Sequence, residues 1–197
     1  MPNYGERIVY WYLRLNGFFL LENFVIHRTV GSSDVDVIGV RFPHVFEEVG
    51  GHPDDWDQTL FDFFEPNIPI GLITEVKTGV NYDVQDVFQA QNISYSVGRF
   101  GFVKDPRTLE DPVSKNARFV ELNQFQIGKI LFSDKDLKKS DRFFHISLSH
   151  ARKFLENRMR KYPDEKFRDR LRFNSELIQD LIHMTHNNRF SERYEST

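Results

Sequence analysis

Apolar positions recur at helical spacing from Glu6 to Leu15, at Ile8, Val9, Trp11, Tyr12 and Leu15, and Gly17 follows where a helix C-terminal cap belongs. The period then changes. Phe18 to Ile26 is rich in aromatic and β-branched residues, Gly31-Ser32-Ser33 carries turn chemistry, and Asp34 to Phe42 alternates Asp, Val, Asp, Val before becoming continuously apolar. This predicts a helix followed by a β-hairpin. From Pro43 to Pro69 the regularity is lost, and Gly50-Gly51, the acidic Asp54-Asp55-Trp56-Asp57 and the aromatic run Leu60 to Phe64 read as an insertion holding one short helix.

Ile70 to Val76 is nearly continuous in apolar residues, as expected of a strand covered on both faces. Gly79 to Tyr82 turns the chain, and Asp83 is placed to cap a helix running to about Val97. Phe100 to Val103 reads as a strand, Lys104 to Lys115 as a polar loop, and Gln126 to Phe132 and Arg142 to Leu148 as further strands. Ser149 opens a helix to about Tyr162, Asp164 another to about His183, and the tail from Asn187 reads as frayed. The organisation expected is a core over residues 1–148 with its insertion at 43–69, a helical extension over 149–186 and a flexible tail at 187–197.

Composition narrows the chemistry. Of 197 residues, 40% are hydrophobic and 20 are Phe, enough for an ordinary folded core. Cysteine is absent, so disulfides and thiolate zinc sites are excluded and any metal must be held by oxygen or imidazole. Oxygen ligands favour Mg²⁺ or Mn²⁺. With neither a signal-like N-terminus nor a long apolar run, the expectation is a cytoplasmic protein with no membrane partner.

The net charge of −3 hides an asymmetry. Residues 1–100 hold 6 basic and 14 acidic side chains, a net of −8, whereas residues 101–197 stand at +5. Much of that excess lies in the stretch Arg152, Lys153, Arg158, Arg160, Lys161, Lys166, Arg168, Arg170 and Arg172. An acidic half suits metal ions, and this basic stretch is the expected contact for a phosphate backbone. The alternative for it is the solvated face of a helix.

Alternation along the strand ending in Glu75-Val76-Lys77 puts Glu75 and Lys77 on one face and Val76 on the other. Asp36, in the preceding hairpin, would lie beside them in a mixed sheet. Two carboxylates with a backbone carbonyl, that of Val76, can hold Mg²⁺ together with several waters, and a lysine beside them can orient a water or stabilise charge on phosphorus. Alone, Glu75 and Lys77 would be an ordinary surface ladder. His44, His52, Asp54 and Asp55 read as a solvated loop and not as a second metal site.

At this point the chain resembles the PD-(D/E)XK nuclease superfamily, which includes type II restriction enzymes, archaeal Holliday-junction resolvases and CRISPR-associated exonucleases. Gly5-Glu6, Tyr12-Leu13 and Gly17-Phe18 are similar to that family's first helix and strand, Ser33-Asp34-Val35-Asp36-Val37-Ile38 to its acidic-apolar-Asp motif, and Glu75-Val76-Lys77 to the (D/E)XK element itself. Gln91-Asn92-Ile93-Ser94-Tyr95 is similar to the Gln-x-x-x-Tyr motif of several nuclease branches. The family's Pro before the aspartate is missing, and the spacing from Asp36 to Glu75 is longer than usual.

The resemblance spans residues 4–103 and implies an α/β restriction-endonuclease-like fold, a mixed β-sheet flanked by helices, here with a C-terminal helical extension. It implies a metal-dependent nuclease acting on DNA, with Asp36 and Glu75 as metal ligands, Lys77 on the attacking water, and Glu6 and Gln91 in supporting roles. A non-catalytic nucleic-acid-binding or assembly protein on the same fold is the rival reading. The small size leaves room for a homodimer or for a subunit of a larger nuclease complex.

Overall fold

A computed structural model describes residues 3–27, 32–79, 81–114, 117–122, 124–169 and 175–195. Helix α1 (Tyr4–Leu15) opens the chain, followed by strands β1 (Phe19–His27) and β2 (Ser32–Arg41), a short helix α2 (Gln58–Phe61) and strand β3 (Ile70–Lys77). Helices α3 (Ala90–Phe100) and α4 (Arg107–Ser114) precede strands β4 (Phe119–Leu122), β5 (Phe125–Ser133) and β6 (Phe144–Ser147). Helices α5 (Leu148–Lys161), α6 (Pro163–Asp169) and α7 (Glu176–Glu195) complete it.

The six strands form one mixed sheet. β1, β2 and β3 are antiparallel neighbours, β5 lies parallel to β3, and the outer flank of β5 is shared by antiparallel β4 and parallel β6. Helices cover both faces. Ile8, Val9, Tyr12 and Leu13 of α1 pack with Leu155 and Met159 of α5, Ile178 and Ile182 of α7, and Leu72, Val76 and Phe132 of the sheet. Ile93 and Val97 of α3 and Leu109 and Val113 of α4 pack against Ile38, Ile73, Ile127 and Leu131 on the other face. Burial of large apolar side chains contributes roughly 1.5–3 kcal/mol each, so this double cover holds the sheet rigid where β3 and β5 lie side by side.

Several sequence expectations need correction. Asp83 caps only a single 3₁₀ turn, Val84–Asp86, and the helix begins at Ala90. Phe100 to Val103 is not a strand: α3 ends at Phe100, Gly101 takes the left-handed conformation (φ 68°), and Phe100 and Phe102 close over Gly71, where a Cβ would lie 3.0 Å from their rings. Residues expected to loop from Lys104 instead form α4, whose buried Leu109 and Val113 are one helical turn apart amid charged neighbours. Strand β4 had no counterpart in the sequence reading. Gly31 lies outside the described residues, and Ser32 and Ser33 belong to β2. The last helical stretch is two elements, α6 and α7, and α7 reaches Glu195.

Candidate active site

The β2–β3 ladder runs from Arg41 opposite Ile70 to Val37 opposite Thr74 and stops there. The next pair in register would be Asp36 and Glu75. Beyond that point β2 stays paired to β1 as far as Ser32, and β3 stays paired to β5 as far as Lys77 opposite Ser133, so the two central strands part. The Asp36 side chain replaces the lost backbone contact: its Oδ2 accepts a 2.6 Å hydrogen bond from the Val76 N–H. The N–H and C=O of one strand residue lie on the same flank, so the Val76 carbonyl also points into the gap beside Asp36.

Glu75 and Lys77 project to the α3 side, the face of Ile73, and Asp36 shares the parity of Ile38, which is buried on that face. The Lys77 ammonium lies 3.0 Å from Glu75 Oε2 and 4.0 Å from Asp36 Oδ2. The two carboxylate side chains are only 16% and 11% exposed, while that of Lys77 is 34% exposed. Asp36, Glu75 and Lys77 are thus gathered at the point where the ladder splits, with the lysine on the solvent side. Low solvent access strengthens each of these interactions relative to water.

Glu6 has a different task. It forms a capping box with Asn3, in which Glu6 Oε2 accepts the Asn3 N–H at 3.0 Å and Asn3 Oδ1 accepts the Glu6 N–H at 3.0 Å. Its helix nevertheless starts against the site's own strand, because a Cβ on Gly5 would meet Thr78 Cγ2 at 2.6 Å and Val76 Cγ1 at 3.2 Å. Gln91 sits in the first turn of α3, and its side chain lies outside the described residues. Tyr95, its motif partner, is exposed.

Among the described residues no group of three or more His, Asp or Glu side chains gathers around one point. The candidate set is therefore two carboxylates and the Val76 carbonyl, all hard oxygen donors, a combination that suits a divalent cation retaining several waters. Asp55 is no second metal ligand. Its carboxylate takes Lys161 Nζ at 2.6 Å, the Tyr162 hydroxyl at 2.9 Å and the His52 N–H at 3.1 Å, and these partners hold its pKa below the usual carboxylate range.

The basic stretch divides. Arg158, 3% exposed, donates both terminal nitrogens to the carbonyls of Gly50 and Asp55, so it cannot be a phosphate contact. Lys161 is spent on Asp55, and Arg152 pairs with Glu156 at 3.0 Å one turn along α5. Lys166 is buried, whereas Lys153, Arg160 and Arg168 are exposed. Arg170 and Arg172 lie outside the described residues. The acidic insertion at 50–57 is what this part of α5 binds.

Two residues beside the triad were not singled out in the sequence. Ser133 Oγ, at the end of β5, and Nε2 of His145, the second residue of β6, are 3.0 Å apart. The only signal was a histidine between two core positions, Phe144 and Ile146. A cleft of about 580 Å³ lined by Phe18, Phe19, Phe42, Val45 and Phe46 lies at the opposite end of β2 from Asp36. Among the described residues no helix is long and apolar enough to cross a membrane. No family model matches the chain, and neither the curated proteins nor the solved structures contain a match.

Proposed function

We propose that this protein is a metal-dependent nuclease that hydrolyses phosphodiester bonds, in DNA, on a restriction-endonuclease-like core. The observation that carries the reading is the meeting of Asp36, Glu75 and Lys77 where β2 parts from β3, with one ammonium within 4.0 Å of both carboxylates. The element order supports it in part: helix α1, three antiparallel strands and helix α3 follow one another as the likeness implies, and β5, parallel to β3, comes only after α4 and β4. The strand expected at Phe100–Val103, the last element of the likeness over residues 4–103, is not formed, and the strand that lies parallel to β3 is β5.

In this reading Asp36, Glu75 and the Val76 carbonyl hold Mg²⁺ or Mn²⁺. The cation supplies Lewis acidity toward a phosphoryl oxygen and lowers the pKa of water. Water oxygen bonds to phosphorus, the bridging P–O bond breaks, and the departing oxygen takes up a proton. Lys77 donates from the solvent side, where it can orient the water or stabilise the added charge on phosphorus. Val76 N–H fixes the Asp36 carboxylate through Oδ2.

Purified protein is to be assayed on circular, linear, branched and single-stranded DNA and on RNA, with and without Mg²⁺ or Mn²⁺. Cleavage should require the metal and vanish in Asp36→Asn and Glu75→Gln, with folding retained. Lys77→Ala should lower kcat by about 10²–10³-fold with little change in KM, since its contact grows in the transition state. Undiminished cleavage by either carboxylate variant would remove the site.

A second reading, a non-catalytic nucleic-acid-binding or assembly protein, is favoured by one observation: Lys77 already neutralises both carboxylates, as a structural ion pair would. It predicts DNA binding without cleavage under every metal condition.

A further inference from the structure

Strand β1 ends the sheet, and among the described residues no strand pairs with its outer edge. That edge is nine residues long, about 30 Å at the rise of a strand, while the opposite flank is made of the four-residue β4 and β6. Natural sheets protect long edges with Lys, Pro or a bulge, because a row of unpaired N–H and C=O groups recruits another strand. Phe19–His27 carries neither Lys nor Pro, and it keeps one register with β2, from Phe19 opposite Val40 to His27 opposite Ser32, without a bulge. The edge is left open.

Its surroundings are apolar. Phe19 is 68% exposed and Leu21 43%, and at the start of the edge stand Phe42 at 53% and Phe46 at 67%. Phe19 and Phe42 meet edge-on with ring centroids 5.9 Å apart. Phe19 lines both the cleft it shares with Phe42 and Phe46 and a shallow groove that it shares with Leu21, Ile38 and Phe100. An exposed apolar patch continuous with an open edge marks a protein–protein contact. The charged side chains around it balance, Arg14 and Arg99 against Glu22 and Glu47, with Arg14 and Glu47 3.4 Å apart. No excess of either sign selects a polyanion, and a patch of balanced charge complements a copy of itself.

We infer that this edge pairs with the same edge of a second copy of the chain, antiparallel across a two-fold axis at Asn23. A two-fold axis makes the contact isologous and the strands antiparallel, and centring it on Asn23 is the register that pairs all nine residues. Phe19 then stands opposite His27 of the second copy, Leu20 opposite Ile26, Leu21 opposite Val25 and Glu22 opposite Phe24, so the aliphatic positions pair with one another and no two like charges meet. The neighbouring register, centred on Glu22, sets two carboxylates opposite each other. A strip about 30 Å long and roughly 25 Å deep, the depth of a sheet with a helix layer on each face, offers about 750 Å² per copy, close to the roughly 800 Å² of a standard interface. This pairing stands apart from the nuclease reading. It also brings the two candidate sites into one continuous sheet: the β1–β2 register sets Asp36 opposite Asn23, so the Asp36 backbones fall three strand spacings apart, roughly 14 Å.

The test is sedimentation equilibrium of the full chain over a wide range of concentrations, with Leu21→Lys as the disrupting variant and single cysteines as reporters of register. Wild type should reach twice the mass of one chain. Leu21→Lys, at an exposed position that leaves the core untouched, should weaken the dimer by about 10²-fold, since each copy then buries an unpaired ammonium. The chain has no cysteine, so a disulfide formed by Asn23→Cys can join only two copies. Directly opposed antiparallel residues have Cα atoms about 4.5–5.5 Å apart, within the span of a disulfide. Under mild oxidation Asn23→Cys should therefore crosslink quantitatively, whereas Glu121→Cys, on the exposed β4 flank, should not. A wild-type monomer at every concentration, a dimer that folded Leu21→Lys leaves intact, or a dimer in which Glu121→Cys crosslinks in place of Asn23→Cys each overturns the pairing. The first of these would assign the edge to an extended segment of another protein.

Discussion

Lys129 places an ammonium among apolar side chains at 2% exposure, where the Val113 carbonyl near the end of α4 accepts its hydrogen bond at 3.0 Å. Burial, aided by the charge of Arg142, lowers its pKa from 10.5 to about 8. The folded state therefore releases this proton near pH 8 while the unfolded chain holds it to about pH 10.5, and between those values the unfolded state binds more protons. Stability must rise with pH across that window, by about 3–4 kcal/mol at most, since one pKa unit is worth about 1.4 kcal/mol. Tyr12, buried against Asp57, has a raised pKa, so its contribution is complete below pH 10 and is lost only at higher pH. Urea unfolding of wild type from pH 7 to 9.5 should show the rise, and Lys129→Met should flatten it. A wild-type curve already flat would mean that the ammonium stays charged in the fold.

At the scale of elements, the insertion at 43–69 is held by polar contacts as much as by apolar ones. The Asp57 carboxylate takes the Tyr12 hydroxyl at 2.8 Å and His150 Nε2 at 2.6 Å, tying α1 and α5 to the start of α2. Arg41, fully buried at the end of β2, donates to the carbonyls of Asn16 and Pro66 at 3.1 Å each and lies over the rings of Trp56 and Phe61. Arg158→Met should cost about 2–4 kcal/mol, because it strands two buried carbonyls, whereas Lys153→Met should stay within about 0.5 kcal/mol. Equal effects in thermal or urea unfolding would contradict the docking. None of this was legible in the sequence, where Arg158 and Lys153 look alike; what separates them is which face of α5 meets a segment a hundred residues earlier. Helix α1, the β2 alternation, β3 and β5 were legible, since each carries an unbroken period or apolar run. Phe100 to Val103 misled because three apolar residues around a glycine suit a strand or a helix end equally, and α4 hid behind a charged face with two core contacts. The triad was readable because strand parity alone aligns Glu75 with Lys77. That Asp36 lies opposite depended on β2 and β3 pairing across the insertion, which no local pattern encodes.

Over the whole molecule, charge and site are arranged unevenly: the two carboxylates of the proposed metal position, Asp36 and Glu75, belong to residues 1–100 with their net of −8, and the net of +5 belongs to residues 101–197. Arg152 and Lys161 are exposed but paired with Glu156 and Asp55, and Arg158 is buried against Gly50, which leaves Lys153, Arg160 and Arg168 as the exposed residues of the described basic stretch to contact phosphates. Each phosphate contact releases condensed counterions and contributes about 0.9 to the slope of log K against log salt on duplex DNA. Replacing these three residues by Gln should therefore reduce the slope by up to about 2.7 if all three touch phosphate. Arg158→Gln should leave the slope unchanged while lowering stability. The measurement is a set of binding curves on one duplex across salt concentrations, with metal omitted so that the DNA stays intact. An unchanged slope in the triple variant would assign this face of α5 and α6 to solvent. The attraction for the polyanion would then have to come from the lysines of the β5–β6 loop, Lys135, Lys138 and Lys139, which follow directly on the strand that carries Ser133.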